Sequence, residues 1–226
     1  MSFETLFVKE HDFGTVCGIR IPQGEVSDQT LSRLHPEEAS VLQRFKRSRR
    51  STWVGGRLAL AQACLARSQT FRPILNDDRG APILPDGLTG SLTHKNNLAI
   101  AIVAPAEESM RLGIDVESLA IRQPAIERMI LTQSERAVLK TLDDSQKALF
   151  LVRTFSLKES IYKAVDPFVR RYVGFKEVEI VETQDGFNAH FQLKNQEGPF
   201  RVELRSEEIA LEDERLVLTS AKICRS

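Results

Sequence analysis

The stretch Leu112-Gly113-Ile114-Asp115-Val116-Glu117 decides more about the fold than any other part of this sequence. From Ile114 onward, apolar and acidic side chains alternate, which predicts a β-strand because successive side chains of a strand point to opposite faces. We expect Ile114 and Val116 to enter the core. Asp115 and Glu117 then share the other face, with Cα atoms about 7 Å apart. Two carboxylates so close repel each other, and a divalent cation between them removes that repulsion.

A second stretch, Phe155-Ser156-Leu157-Lys158-Glu159-Ser160-Ile161-Tyr162-Lys163, has the composition of a helix. On a helix, Glu159 and Lys163 are i,i+4 neighbours. This arrangement suits a metal–phosphate site, in which the carboxylate binds the ion and the ammonium binds the phosphate. Each stretch also has a simpler interpretation, namely a strand with a solvated outer face and an exposed ion pair that supports its helix by a few tenths of a kcal/mol.

The remaining sequence predicts an α+β protein with antiparallel strands packed on helices. Helices are expected from Pro36, from Arg57 to Arg67, from a capping box at Thr132 and from Asp144 or Ser145 to Val165, where Asp166-Pro167 should end the last one. The Gly55-Gly56 pair predicts either a break or a close backbone approach. Strands are expected at residues 15–21, 88–93, 98–104, 111–116, 173–182, 187–193, 200–205 and 216–223.

Strand, helices and hairpin follow one another in both halves of the chain, so the same unit is predicted to be used twice. A short polar linker at residues 105–110 separates the halves, which gives an N-terminal half of residues 1–109 and a C-terminal half of residues 110–226.

Charge and cysteine content narrow the classes of function. The 226 residues include 31 basic and 31 acidic side chains, a balance that argues against broad binding to nucleic acid or membrane. The three cysteines, Cys17, Cys64 and Cys224, lie far apart in the sequence and predict neither a disulfide framework nor a zinc site. Neither a signal peptide nor an apolar run of membrane-spanning length is recognised. We therefore expect a soluble protein of the reducing cytoplasm.

Together, the two acidic stretches resemble the 4'-phosphopantetheinyl transferases, in which a G-I-D-x-E strand precedes an F/W-S-x-K-E-x-x-x-K helix by about forty residues. The resemblance is to the Sfp type, close to the enterobactin-synthetase component D branch. Blocks in the first half add to it. They are the basic segment Lys46 to Arg50, the Gly55-Gly56-Arg57 triplet, the Gly80 to Pro85 block, and the run Gly90-Ser91-Leu92-Thr93-His94.

The resemblance implies two similar halves in a pseudo-twofold arrangement, with the active site at their interface and coenzyme A bound between them. It assigns Asp115, Glu117 and Glu159 to Mg²⁺, with Mn²⁺ as the other suitable ion, and it assigns Lys158 and Lys163 to the phosphates. The nucleophile is a serine of an acyl or peptidyl carrier protein, the products are the holo carrier and 3',5'-ADP, and one chain acts as a monomer.

The same resemblance implies that four residues of the first half contact the nucleotide of coenzyme A: Arg50, Arg57, Thr93 and His94. Arg50 and Arg57 are seven residues apart, so an unbroken helix would place them on one face, where two guanidinium groups suit a 3'-phosphate. Thr93 stands where serine is more usual in the family and keeps the hydroxyl.

Several alternatives stay open at this stage. The base is either Glu159 or a water held by Glu117. A metal-dependent nuclease of the D…E-x-K kind and a non-catalytic carrier-binding module are the two rival functions. Carrier proteins of fatty-acid, polyketide, nonribosomal-peptide and lysine pathways all offer a serine at a helix end. Residues 121–129 and 168–171 are the candidate docking surface for that partner.

Overall fold

The computed structural model describes residues 2–68, 72–119, 124–211 and 214–225, and the chain divides into two compact units. Unit 1 comprises residues 1–107 and unit 2 comprises residues 108–226. Both units are α+β with antiparallel sheets, as the sequence predicts.

Unit 1 is built on one sheet of four strands in the order β1-β2-β4-β3. Its elements are β1 (Glu4–His11), β2 (Gly14–Arg20), α1 (Asp28–Leu31), α2 (Pro36–Leu42), α3 (Arg47–Ala66), β3 (Leu88–Lys95) and β4 (Leu98–Pro105). The helix start predicted at Pro36 is confirmed, because His35 caps α2 in a capping box with Glu38. The edge strand β1 has no counterpart among the sequence predictions.

Helix α3 runs without interruption through Gly55 and Gly56, so the predicted break is wrong and the close approach is right. A Cβ added to Gly55 would lie 2.7 Å from the Ile21 side chain. The missing side chains therefore let α3 lie close to the residues that follow β2.

Unit 2 contains a three-stranded sheet in the order β5-β9-β8 and a separate hairpin of β6 and β7. Its elements are β5 (Met110–Ser118), α4 (Pro124–Ile130), α5 (Gln133–Thr141), α6 (Asp144–Val169), β6 (Val178–Thr183), β7 (Gly186–Phe191), β8 (Phe200–Leu211) and β9 (Glu214–Arg225). Short 3₁₀ turns lie at Phe175–Glu177 and Lys194–Gln196.

The ends of α6 differ from the prediction on both sides. Asp143, rather than Asp144 or Ser145, is the N-cap, and its carboxylate accepts the backbone N–H groups of Ser145 and Gln146. Pro167 lies inside the helix instead of ending it. The lost backbone bond is offset because Phe168 and Val169 still pack on the apolar core of unit 2, and Arg170 then closes the helix in the left-handed conformation.

Helix α6 crosses the sheet of unit 2 in direct backbone contact with β5. A Cβ on Gly113 would lie 1.8 Å from the Ser160 carbonyl oxygen, so only glycine fits there. Leu157 and Ile161 of the same helix are fully buried against Ala221 and Ile223 of β9. This packing brings the segment of α6 from Ser156 to Lys163 over the face of β5 that carries Asp115.

All three cysteines are buried and unpaired. Burial raises the pKa of the Cys17 thiol to about 12 and that of Cys64 to about 11. Among the described residues, no helix combines the length and the hydropathy that crossing a membrane requires.

Candidate active site

The acidic strand β5 and the helix α6 bring the two predicted stretches together. Ile114 and Val116 are buried, as expected. Asp115, on the opposite face, is only 5% exposed because α6 covers it. Its Oδ2 atom accepts a hydrogen bond from Ser156 Oγ at 2.9 Å, and Ser156 Oγ lies 2.9 Å from Thr219 Oγ1, on the strand residue opposite Asp115.

Lys163 is a further partner of Asp115. Its ammonium donates to Asp115 Oδ1 at 2.8 Å and to the Ile114 carbonyl oxygen at 2.9 Å. Lys163 is predicted to bind a phosphate, with an ion pair to Glu159 as the simpler interpretation. In the structure its ammonium reaches across to the strand, where it offsets the negative charge of Asp115.

Glu159 lies one helical turn before Lys163, within electrostatic range of both β5 carboxylates. Burial raises the pKa of Glu159 above its ordinary value, Asp115 and Glu117 raise it further, and Lys163 opposes them. Three carboxylates and one ammonium thus influence one another at this junction, which is the charge pattern that the sequence predicts for a metal–phosphate site.

The resemblance implies a bound Mg²⁺, so the oxygen donors of this site must suit that ion. Across the described ranges, no three His, Cys, Asp or Glu side chains stand close enough to enclose an ion by themselves. Mg²⁺ does not require such a cage, since one or two carboxylates, several waters and substrate phosphates are its usual ligands. The hard oxygens of Asp115, Glu117 and Glu159, together with the raised pKa of Glu159, fit an ion of this kind.

Lys158 has partners other than the predicted phosphate contact. Its ammonium donates to Glu135 Oε2 at 2.7 Å and to the Ile130 carbonyl oxygen at 2.9 Å, and both side chains of this ion pair are 1% exposed. Burial lowers the pKa of Lys158, against the opposing effect of Glu135. The ammonium is therefore directed into the interior of unit 2.

In unit 1, the two arginines assigned to the nucleotide lie on one continuous helix, α3. Arg50 donates to the carbonyl oxygens of Phe45 and Gln43 at 3.1 and 3.4 Å. Arg57 is buried, donates to Asn76 Oδ1, and lies with its guanidinium carbon 4.7 Å from the centre of the Trp53 ring. Burial lowers its pKa to about 10, although Glu38 acts in the opposite direction.

Thr93 and His94 are consecutive residues of β3, so their side chains point to opposite faces. Thr93 is buried and His94 is exposed. Within unit 1, His94 is therefore the more accessible of the two residues.

Part of the candidate docking surface falls outside the described residues, namely Ile121 to Gln123. In the described part, Met129 is exposed. Phe168 packs on Phe200 and under the Arg111 guanidinium, and Arg171 is held by the carboxylates of Glu177 and Glu197. The side chains of Phe168 and Arg171 thus contact their own unit.

Sequence reasoning missed several residues of this region. Ser156 could have been found, because it lies seven residues before Lys163 and so on the same helix face. Thr219 and Glu135 carry no such signal, since only the fold brings them near. A small, largely apolar pocket beside Glu159 was also missed. Its lining includes Tyr162, Phe175, Phe191 and the 68% exposed Tyr172.

Comparisons with known proteins follow the same two-part division. Residues 111–219 match the family model described as the 4'-phosphopantetheinyl transferase superfamily, and residues 37–104 match that of the 4'-phosphopantetheinyl transferase N-terminal domain.

The 4'-phosphopantetheinyl transferase Npt of Nocardia iowensis is 34% identical over 74% of this chain and 77% of its own length. The 4'-phosphopantetheinyl transferase Svp of Streptomyces mobaraensis is 34% identical over 71% of this chain and 66% of its own. Enterobactin synthase component D of Salmonella typhi is 32% identical over 52% of this chain and 49% of its own length. The resemblance stated from the motifs is confirmed, and the chain belongs to the 4'-phosphopantetheinyl transferase superfamily.

Proposed function

We propose that this protein transfers the 4'-phosphopantetheine group of coenzyme A to a serine hydroxyl of an acyl or peptidyl carrier protein and releases 3',5'-ADP. The observation that carries the proposal is the group around Asp115, with Lys163 bonded to its carboxylate and Glu159 beside it at a raised pKa. Membership of the superfamily and the names of the relatives support it.

In the proposed reaction, the serine oxygen forms a bond to the phosphorus that bears the pantetheine. The bond from that phosphorus to the bridging oxygen breaks, and the oxygen leaves with 3',5'-ADP and the electron pair. The serine proton goes to a base. The Glu159 carboxylate and a water held by Glu117 are the two candidates for that base.

Asp115, Glu117 and Glu159 are the residues that would hold Mg²⁺, or Mn²⁺ in its place. When bound, such an ion polarises the phosphoryl group and neutralises the charge that develops on the leaving nucleotide. Lys163 binds the phosphate beside the Asp115 carboxylate that its ammonium contacts. Ser156 keeps the Asp115 carboxylate oriented through its hydrogen bond to Oδ2.

Arg50, Arg57, Thr93 and His94 of unit 1 are proposed to contact the nucleotide. The exposure of His94 and the unpaired, buried Nε atom of Arg57 support their parts in it.

We also propose that the protein acts as a cytoplasmic monomer. A single chain matches both family models, which favours the monomer, and its three cysteines are unpaired, as is typical of a reducing cytoplasm.

Incubation of the purified protein with coenzyme A, Mg²⁺ and an apo carrier protein tests the proposal. Mass spectrometry should find the carrier heavier by one phosphopantetheine, and chelation by EDTA should abolish the gain. Carriers from fatty-acid, polyketide, nonribosomal-peptide and lysine pathways should be compared. An unchanged mass for every carrier, with no binding of coenzyme A by calorimetry, would overturn the proposed function.

A further inference from the structure

Glu135 and Lys158 form a buried ion pair that connects four elements of unit 2, namely α4, α5, α6 and β6. Glu135 is the third residue of α5, and its Oε2 atom accepts the Thr132 backbone N–H at 2.8 Å in a capping box. Its Oε1 atom accepts the Ile180 N–H of β6 at 2.8 Å. Lys158 of α6 donates to the same carboxylate and to Ile130, the last residue of α4.

The α6 turn that carries Glu159 is thus held from two sides. On the β5 side, Gly113 admits the Ser160 backbone, and Ser156 and Lys163 both bond to Asp115. On the other side, Lys158 is bonded to the start of α5. Glu159 follows Lys158 directly in the chain, so a rotation or axial shift of this turn would displace its carboxylate from Asp115.

The energetics of the pair favour a fixed geometry over an exchangeable contact. Removing one partner of a buried ion pair leaves an uncompensated charge, and this strongly destabilises the arrangement that contains it. An ammonium that left Glu135 to bind a phosphate would create that situation inside unit 2. Exchange of partners during a reaction cycle is therefore disfavoured.

We propose that Glu135 and Lys158 are positioning residues for the transferase reaction. Their ion pair sets the orientation of the α6 turn that presents Glu159 to Asp115, and Lys158 does not contact the phosphates of coenzyme A. This inference rests on the proposed function, because it concerns the same site.

A double-mutant cycle distinguishes a positioning role of Lys158 from a direct contact with the phosphates of coenzyme A. With Glu135→Gln and Lys158→Met, each single variant should lose about tenfold or more in kcat, because displaced catalytic groups react slowly. KM for coenzyme A should change by less than about twofold. The double variant should be no worse than the poorer single variant, since the two residues act as one unit.

Glu38→Gln is the matched control for the loss of a buried capping glutamate, because Glu38 makes the equivalent bonds in unit 1. Its kcat should stay within about twofold of the wild type. Two results together would overturn the inference. Lys158→Met alone would raise KM for coenzyme A and the Kd of 3',5'-ADP, and the fold-losses in kcat of the two single variants would multiply in the double variant.

Lysine labelling of the wild type gives an answer even if a variant fails to fold. During brief reductive methylation, Lys147 of α6 should react readily, because its side chain is exposed. Lys158 should stay unmodified whether or not coenzyme A is present. Rapid labelling of Lys158 that coenzyme A suppresses would identify a ligand contact and overturn the inference. A wild type that modifies no carrier would reject the proposed function, whereas the labelling would still report on the pair.

Discussion

Glu38 in unit 1 and Glu135 in unit 2 make the same pair of hydrogen bonds. Each is the third residue of a short helix and accepts the backbone N–H of its own N-cap residue, His35 or Thr132. With the other carboxylate oxygen, each accepts a backbone N–H from a distant segment, Ile74 for Glu38 and Ile180 for Glu135. Both glutamates are buried.

A buried cation from the long helix that follows accompanies each glutamate. Lys158 of α6 is bonded to Glu135, and Arg57 of α3 has its pKa raised by the charge of Glu38, in opposition to burial. Both units therefore contain a buried capping glutamate near a buried cation of the following long helix. In both units, strand, helices and hairpin also follow one another in the same order. This supports the prediction that one structural unit is used twice.

Replacing Glu38 with alanine should reduce the free energy of unfolding by about 2–4 kcal/mol, because two buried N–H groups lose their acceptor. Glu37→Ala is the control. Its side chain is 61% exposed, and its removal should change stability by no more than about 1 kcal/mol. Urea denaturation monitored by circular dichroism measures both variants. Equal effects of the two substitutions would contradict the role given to Glu38.

Asp115→Asn and Glu159→Gln should each lower kcat for phosphopantetheine transfer by about a hundredfold or more, because each removes a charge at the reacting phosphate. The quantity to measure is the rate of carrier modification at saturating coenzyme A. Glu203→Gln, a partly exposed residue of β8 paired with Lys222, is the control and should retain its kcat. Full activity of Asp115→Asn would remove the strand carboxylate from the mechanism.

Gly113→Ala should destabilise the protein by about 2 kcal/mol or more, because its Cβ would displace the α6 backbone at Ser160 from β5. Gly174→Ala is a matched control, since Gly174 has an ordinary φ of −72° and its added Cβ would come no closer than 3.6 Å to another atom. Thermal unfolding should distinguish the two. Similar melting temperatures for both variants would refute the close approach.

Acid should weaken the contact between Arg171 and Glu177. Their hydrogen bond holds the pKa of Glu177 below its ordinary value. The Glu177 carboxylate therefore binds a proton more readily in the unfolded chain than in the folded protein. The stabilisation by its contact with Arg171 is complete above the pKa of Glu177 in the unfolded chain, and it declines as the pH falls towards the pKa in the folded protein. Glu177→Gln should be less stable than the wild type at pH 7, and the gap should narrow at about pH 4 and below. A gap that widens in acid would reverse the sign of this argument.

His94→Ala should raise KM for coenzyme A by about tenfold and leave kcat nearly unchanged, because a contact to the nucleotide stabilises the bound substrate and the transition state equally. His190→Ala, which removes another exposed strand histidine, should leave both constants unchanged. Steady-state kinetics with one carrier protein measures these values. Equal KM values for the two variants would argue against a nucleotide contact at His94.

The sequence was most informative where structure depends on local pattern. The alternation from Ile114 to Glu117 predicts the strand, and Thr132 with Glu135 predicts the start of α5, since both patterns act over a few residues. Prediction failed at Pro167, where tertiary packing of Phe168 and Val169 prolongs the helix beyond its local stop signal. The edge strand β1 was missed because its polar residues hide the period of two.

Within the site, residue types were predictable but their partners were not. The order Asp115, Glu117, Glu159 and Lys163 is visible in the sequence. The contacts of Lys163 with Asp115 and of Lys158 with Glu135 depend on distances between elements that lie 23 to 48 residues apart in the sequence. Propensity and spacing carry no information about such distances, which arise when α6 packs on β5.

The burial of the cysteines has a consequence for a protein proposed to work with coenzyme A, which itself carries a thiol. Disulfide exchange requires a thiolate, and with pKa values of about 12 and 11 the Cys17 and Cys64 thiols stay protonated at neutral pH. Cys224 is shielded by burial as well. The folded protein can thus hold its cosubstrate, or the oxidised dimer of that cosubstrate, without becoming covalently linked to it.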